Sequence, residues 1–199
     1  MTTGLRDATW QNLQLNAGVF LKNFDFSGAE TVAALKALIA DAVNDDDVVL
    51  GATVDGGSFS CKPRLRCIEA DGLRAAAKGA MVNDGWTVRM KGTMLEITPG
   101  SFAAAMGMAV METAGQKKTV RARMNVADSD FISTLCWVGD TSRGYVMIEM
   151  SNVLNMVGAE LTFADHSEGR IPFDFQAHMD HPGDDYAPFR IVFLEDAAA

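Results

Sequence analysis

The 199-residue sequence predicts a mainly β domain: a largely antiparallel sandwich or partial barrel with one or two flanking α-helices. Three observations predict it. Outside two segments most of the chain reads as strands, several with apolar residues alternating at period two. Only two segments carry a helical pattern. The elements run strands, helix, strands, helix, strands, without the repeated βαβ units of a parallel sheet.

The first helix is expected in SGAETVAALKALIADAV, with Ser27 as cap and Glu30 three residues on, the capping-box spacing. Val32, Leu35, Leu38, Ile39 and Val43 then share one side, so the helix packs on another layer. Asp45, Asp46 and Asp47 follow its end, where the helix dipole disfavours carboxylates and drives them toward water. The second helix is expected from Pro99 to Gly115, starting near Ser101, although Gly107 weakens it.

The remaining elements read as strands. In GWTVRMKGTMLEIT, residues Trp86, Val88, Met90, Gly92 and Met94 point one way, and Thr87, Arg89, Lys91 and Thr93 the other. Glu96 and Thr98 break that alternation, through a bulge or a change of environment. Lys118 to Met124 sets Val120 and Ala122 against Thr119, Arg121 and Arg123, as in a half-exposed strand. Leu135–Val138 and Tyr145–Met150 flank GDTSRG, a hairpin loop. Arg170–Ala177 and Phe189–Leu194 complete the set, joined by the turn-rich HPGDDYAP. No repeat or linker divides the chain. A single domain over residues 1–199 is expected, with an N-terminal arm over about 1–15 and a frayed tail over about 195–199.

Composition narrows the function. The formal charge of −9 argues against a monomeric nucleic-acid binder, which needs a basic surface. No run of eighteen apolar residues exists, and MTTGLRDATW has no signal-peptide core, so folding in the cytosol is expected. Three cysteines, Cys61, Cys67 and Cys136, then read as buried free thiols.

The stretch GATVDGGSFSCKPRLRCIEADG, from Gly51 to Gly72, holds the strongest candidate chemistry. In an extended chain Cys61 and Cys67 lie about 20 Å apart, too far for one zinc ion or a disulfide unless the chain folds at Pro63. Pro63 itself argues for an edge strand or a bulge. Gly56 and Gly57 lead into a strand and lack the phosphate-loop spacing, so Asp55, Gly56 and Gly57 read as a tight turn or flexible loop. Lys62, Arg64 and Arg66 alternate with Cys61, Pro63, Leu65 and Cys67, a charged face on a half-buried strand. That face is solvated, salt-bridged to an acidic neighbour, or set at a subunit or lumen surface. His178 and His181 with Asp180, Asp184 and Asp185 can be drawn as a metal cluster, but no helix aligns the rings and surface loop residues are expected. Asp128-Ser129-Asp130 reads as the cap of a helical turn. No hydrolase elbow or zinc-protease motif occurs. No catalytic residue, cofactor or metal is expected.

Several segments, in order, resemble the major tail tube proteins of tailed bacteriophages and prophages of Gram-positive hosts. They begin with Asn16-Ala17-Gly18-Val19-Phe20-Leu21-Lys22-Asn23-Phe24-Asp25, similar to that family's opening strand. Leu50-Gly51-Ala52-Thr53, then Gly56-Gly57-Ser58-Phe59-Ser60 and Glu69-Ala70-Asp71-Gly72, resemble its LGAT, glycine loop and strand ending in a turn. Trp86 to Thr98 resembles its central strand. Cys136-Trp137-Val138-Gly139, Ser151-Asn152-Val153-Leu154-Asn155, Leu161-Thr162-Phe163, Ile171 to His178 and Ala187-Pro188-Phe189-Arg190-Ile191 continue in the same order. Cys61, Cys67 and the Met-rich second helix depart from the pattern.

The resemblance implies a phage tail-tube-like fold and a structural role without catalysis. Six copies would form a ring whose hairpins join into one barrel, and rings would stack into a conduit for DNA ejection. The implied partners are the chain itself, the tape-measure protein, tail terminator and baseplate or initiator proteins, a sheath protein in a contractile tail, and DNA in passage. The implied location is the virion tail, with assembly in the host cytoplasm. Asp55, Gly56, Gly57, Asp140 and Arg143 are the expected inter-ring residues. Lys62, Arg64 and Arg66 are the expected subunit-interface or lumen residues. A tail terminator, completion or baseplate-hub protein of the same fold, or a small-molecule-binding β domain, are the alternative readings.

Overall fold

The computed structural model describes residues 16–196 without interruption, and 4, 6, 9, 10, 13 and 14 before them. The rest of the expected N-terminal arm, and tail residues 197–199, lie outside the described residues. The chain is mainly β, with antiparallel pairing throughout and two α-helices.

In chain order the elements are β1 (Val19–Lys22), α1 (Val32–Ala42), β2 (Thr53–Cys67), β3 (Met81–Met94), α2 (Pro99–Met106), β4 (Ala109–Ala114), β5 (Lys117–Ala122), β6 (Ile132–Thr141), β7 (Gly144–Asn155), β8 (Ile171–Gln176) and β9 (Phe189–Glu195). Seven strands join in the order β1-β6-β7-β8-β3-β2, with β9 also on β7, while β4 and β5 pair separately. Strand β7 is the pivot. It pairs with β6 from Gly144 to Val153 and with β9 from Gly144 to Met150, and its last residues, Leu154 and Asn155, pair with β8.

The two halves of that sheet enclose the main core. Phe20, Leu135 and Met150 from one half meet Val88, Met90, Phe173 and Phe175 from the other, with Ala105 of α2 closing one end. A second core lies on the opposite face of β1-β6-β7, where Leu21, Cys136, Val138 and Met147 pack under Leu35 of α1. Adjacent residues such as Phe20 and Leu21, or Leu135 and Cys136, therefore enter different cores. Both faces of this half are covered, which is why its strands read as continuous apolar runs.

Outside the Gly51–Gly72 stretch, four expectations change in the structure. Helix α1 begins later than predicted: Thr31, not Ser27, is its cap, accepting from the Ala34 amide at 3.2 Å. Ser27 is instead tied back to Asp25, whose carboxylate takes its amide at 2.8 Å and its hydroxyl at 3.0 Å, so the chain turns once more before the helix. Glu30 and Val43 are exposed, while Asp45, Asp46 and Asp47 face water as expected.

Helix α2 stops at Met106, well short of the predicted end at Gly115, because Gly107 takes φ 75° and reverses the chain. Residues 109–114 then find a partner in 117–122 and form a hairpin. The start of α2 is well specified: Thr98 accepts from the Ser101 amide at 3.0 Å and Ser101 Oγ accepts from the Thr98 amide at 2.9 Å.

The broken alternation near Glu96 is a strand end, since β3 finishes at Met94 and the Glu96 carboxylate accepts from the Ala52 amide at 2.8 Å. His178, expected on the surface, is half-buried: its ring packs edge-on against Phe131, and Nδ1 lies 3.0 Å from the Asn152 carbonyl. The Asp128–Asp130 turn and the β6–β7, β8 and β9 strands form as expected.

Candidate assembly surface

The Gly51–Gly72 stretch folds into one arm of a long hairpin. Strand β2 pairs with β3 from Thr53↔Met94 to Cys67↔Met81. Strand β8 supports β3 only from Arg89 to Met94. Beyond that, Cys61–Cys67 and Met81–Val88 form a two-stranded ribbon, roughly 20 Å long at ~3.3 Å per residue.

Asp55, Gly56 and Gly57 are not the flexible loop expected. They lie within β2, where the register slips between Val54 and Gly57 and leaves Asp55 and Gly56 as a bulge. Both take left-handed backbone, φ 61° and 68°. An Arg170 Nη1–Asp55 Oδ2 ion pair of 3.0 Å ties the bulge to the chain before β8. Gly57 is required by close approach: a Cβ there would stand 2.6 Å from the Lys91 carbonyl oxygen and 3.0 Å from the Phe20 ring. A cleft of about 390 Å³ opens beside the bulge, between Asn16, Phe20, Met90 and Trp137.

Pro63 satisfies both sequence readings. It sits on β2, the last strand of the sheet path, and beside a second register shift between Pro63 and Leu65. The strand is not half-buried here, however. Residues 62–66 are all exposed, because among the described residues no third strand pairs with the ribbon beyond Val88, although Trp86 near its base still meets the Phe189 ring of β9. One face carries Pro63, Leu65, Cys67, Met81 and Trp86, of which Leu65 is 59%, Met81 43% and Trp86 41% exposed. The other carries Lys62, Arg64 and Arg66.

Side chains of directly paired residues share a face, so this cationic face continues onto β3. Ser58 faces Lys91, and Ser60 faces Arg89. Arg89 and Lys91 converge on Asp174 of β8, whose carboxylate is only 8% exposed. The distances are 2.7 Å from Arg89 Nε to Oδ1, 2.6 Å from Nη2 to Oδ2, and 2.9 Å from Lys91 Nζ to Oδ2. At the tip, Arg66 Nε donates to Asp84 at 2.9 Å, and that guanidinium holds the Asp84 carboxyl below its usual range. Arg64 Nη2 donates to the Asp84 carbonyl at 3.0 Å.

The remaining expected contact residues, Asp140 and Arg143, belong to the β6–β7 hairpin. Asp140 is the penultimate residue of β6 and is engaged within the chain: Asn16 Nδ2 donates to its carboxylate at 2.7 Å. Arg143 occupies the two-residue turn, and its carbonyl accepts from the Asp196 amide at 2.7 Å. The hairpins are thus separate features, and the structure does not bring Asp140 or Arg143 to the Lys62–Arg66 face within one contact network.

The three thiols differ. Cys136 is buried in the α1-facing core, and burial pushes its thiol up to about 12. Cys61 packs partly against the main core, and Cys67 is half-buried near the ribbon tip. Among the described residues, no group of three His, Cys, Asp or Glu side chains is arranged to hold a metal ion, and no helix is long and apolar enough to cross a membrane.

Sequence reasoning missed Asp174 and the joining of Arg89 and Lys91 to the Lys62–Arg66 face. The outward alternation of Arg89 and Lys91 and the strand over Arg170–Ala177 were visible, but the pairing between them was not. No protein-family model matches this chain, and no curated protein matches it in sequence.

Proposed function

We propose that this chain is a structural subunit of a bacteriophage tail tube. In this reading copies join through hairpins and sheet edges into rings, six to a ring, and rings stack into a conduit through which DNA leaves the capsid. The β2–β3 ribbon carries the reading. An isolated two-stranded hairpin is marginal in water, yet this one projects about 20 Å beyond its supporting strand with its outer edge unpaired. Its face of Leu65, Met81 and Trp86 lies open to solvent. A neighbouring chain that extended the sheet and covered that face would remove both liabilities.

The β4–β5 hairpin supports the same reading. It too is a two-stranded sheet, with Val110 and Met111 exposed. The cleft at the Asp55 bulge has no enclosed charged group to orient a substrate, and the ribbon is the more developed surface.

Sedimentation velocity and negative-stain microscopy of the purified chain test the reading. Rings or open-ended tubes that grow with concentration are expected. A protein that sediments as a monomer at every accessible concentration overturns it. Growth that halts at a single ring points to a terminator-like role instead.

A further inference from the structure

The cationic face of β2–β3 is out of balance with the chain that bears it. Lys62, Arg64 and Arg66 on β2, with Arg89 and Lys91 on β3, meet two carboxylates, Asp84 and Asp174. Lys62 has no counterion among the described residues, and Arg64 donates to a neutral carbonyl. A surplus of three positive charges therefore stands on one sheet face of a chain whose total is −9.

The complementary surface is the end of α1. Asp41, Asp45, Asp46 and Asp47 crowd into one turn and are all exposed. The negative end of the helix dipole adds to their field. Among the described residues one cation meets them, Lys22, whose Nζ donates to the Asp46 carbonyl at 3.4 Å and which feels Asp45, Asp46 and Asp47 together. Four carboxylates against one lysine leave a deficit of three, the same size as the surplus on the ribbon.

Among the described residues no ion pair joins these two surfaces within one chain. Phe59 and Cys61 point from β2 toward the main core, so Lys62 and its row face outward from that layer. Helix α1 lies on the far side of β1-β6-β7, beyond the second core. The cations belong to the β2–β3 layer, whereas the carboxylates stand at the end of α1, beside the edge of β1 where Lys22 meets them. A contact between them joins two copies through different surfaces, and a heterologous contact of this kind closes into rings or runs on as filaments.

We propose that the Lys62–Arg66 face of one copy docks on the Asp41–Asp47 turn of the next. The proposal rests on the self-assembly reading and names the surfaces that do the joining.

The test is a charge swap in the full-length chain. One variant carries Lys62→Glu and Arg64→Glu, a second Asp46→Lys and Asp47→Lys, and a third all four. All four sites are exposed, and circular dichroism checks that each variant folds. Each half-swap sets like charges against each other and raises the concentration of half-association at least about tenfold in sedimentation velocity. The third variant, and an equimolar mixture of the first two, return to within about threefold of the native chain, because opposite charges again face one another. Association of the native chain weakens as salt rises, as screening of exposed charges requires.

Half-swaps that associate like the native chain overturn the docking but leave self-assembly standing. A native chain that never associates overturns both. Fluorescence-anisotropy binding of a labelled single-stranded oligonucleotide, lost with Lys62→Glu and Arg64→Glu while association is unchanged, reassigns the face to a polyanion and also overturns the docking.

Discussion

Asp174→Asn removes one charge from a site that holds two cations. The buried carboxylate receives a two-point contact from Arg89 at 2.7 and 2.6 Å and a third from Lys91 at 2.9 Å. Its backbone amide donates to Asn155 Oδ1 at 2.8 Å, so β8 keeps its register in the variant. Hydrogen bonds to charged groups contribute about 1.5–3 kcal/mol, and the paired Arg geometry favours the upper part of that range. Lys91 is 52% exposed, so its share is under about 1 kcal/mol after solvent screening. Arg89 is 31% exposed and regains some water, which keeps the total below the roughly 3–5 kcal/mol of a fully buried broken pair. The expected loss is about 2–3 kcal/mol, or roughly 4–12 °C in Tm for a domain of this size. Urea unfolding followed by tryptophan fluorescence measures it, at a concentration low enough that association adds no stability. Lys91→Met serves as the internal comparison and costs under about 1 kcal/mol. A loss below about 1 kcal/mol for Asp174→Asn, or equal losses for both variants, refutes the assignment of Asp174 as the anchor of this face.

Other outcomes follow from single sites. Gly57→Val forces a side chain against the Lys91 carbonyl and the Phe20 ring, and lowers stability by about 1–3 kcal/mol in urea unfolding. Thr98→Ala removes the cap of α2 and costs about 0.5–2 kcal/mol, with the loss seen in thermal melts. In the native chain at pH 8.5, iodoacetamide alkylates Cys61 and Cys67 before Cys136, whose thiol stays protonated until near 12; peptide mapping reads the order. A raised thiol pKa means that the folded state holds a proton the unfolded state has lost. Stability therefore falls as pH climbs from the ordinary value of 9.0 toward about 12, and Cys136→Ala removes that slope. Leu65→Ser with Met81→Ser reduces association while leaving the urea midpoint unchanged, because both side chains are exposed in the single chain.

Much of the architecture was legible because period-two alternation survives wherever one face of a strand is wet. Strand β3 carried that mark, while β6 and β7, covered on both faces, were legible as short apolar runs on either side of GDTSRG. The failures share a cause. Residues 109–114 have helix-forming alanines and methionines, and only their pairing with 117–122 makes them a strand. Ser27 fits a cap by spacing, but Asp25 two residues earlier captures its amide and hydroxyl. Asp55-Gly56-Gly57 has turn composition, and a bulge uses the same left-handed backbone as a turn.

The sequence by itself determined a mainly β, acidic chain with a cationic row on one strand, since composition and alternation are local properties. The tertiary structure alone decided what that row can do. It leaves residues 62–66 exposed, joins them to Arg89 and Lys91 across the β2–β3 ladder, and sinks Asp174 beneath two of the cations. It also gathers the carboxylates of Asp45–Asp47 around Lys22 at the edge of β1, on a different strand from the cations. Each of these depends on contacts between residues far apart in the chain, and cross-strand register and layer order have no signature in local spacing.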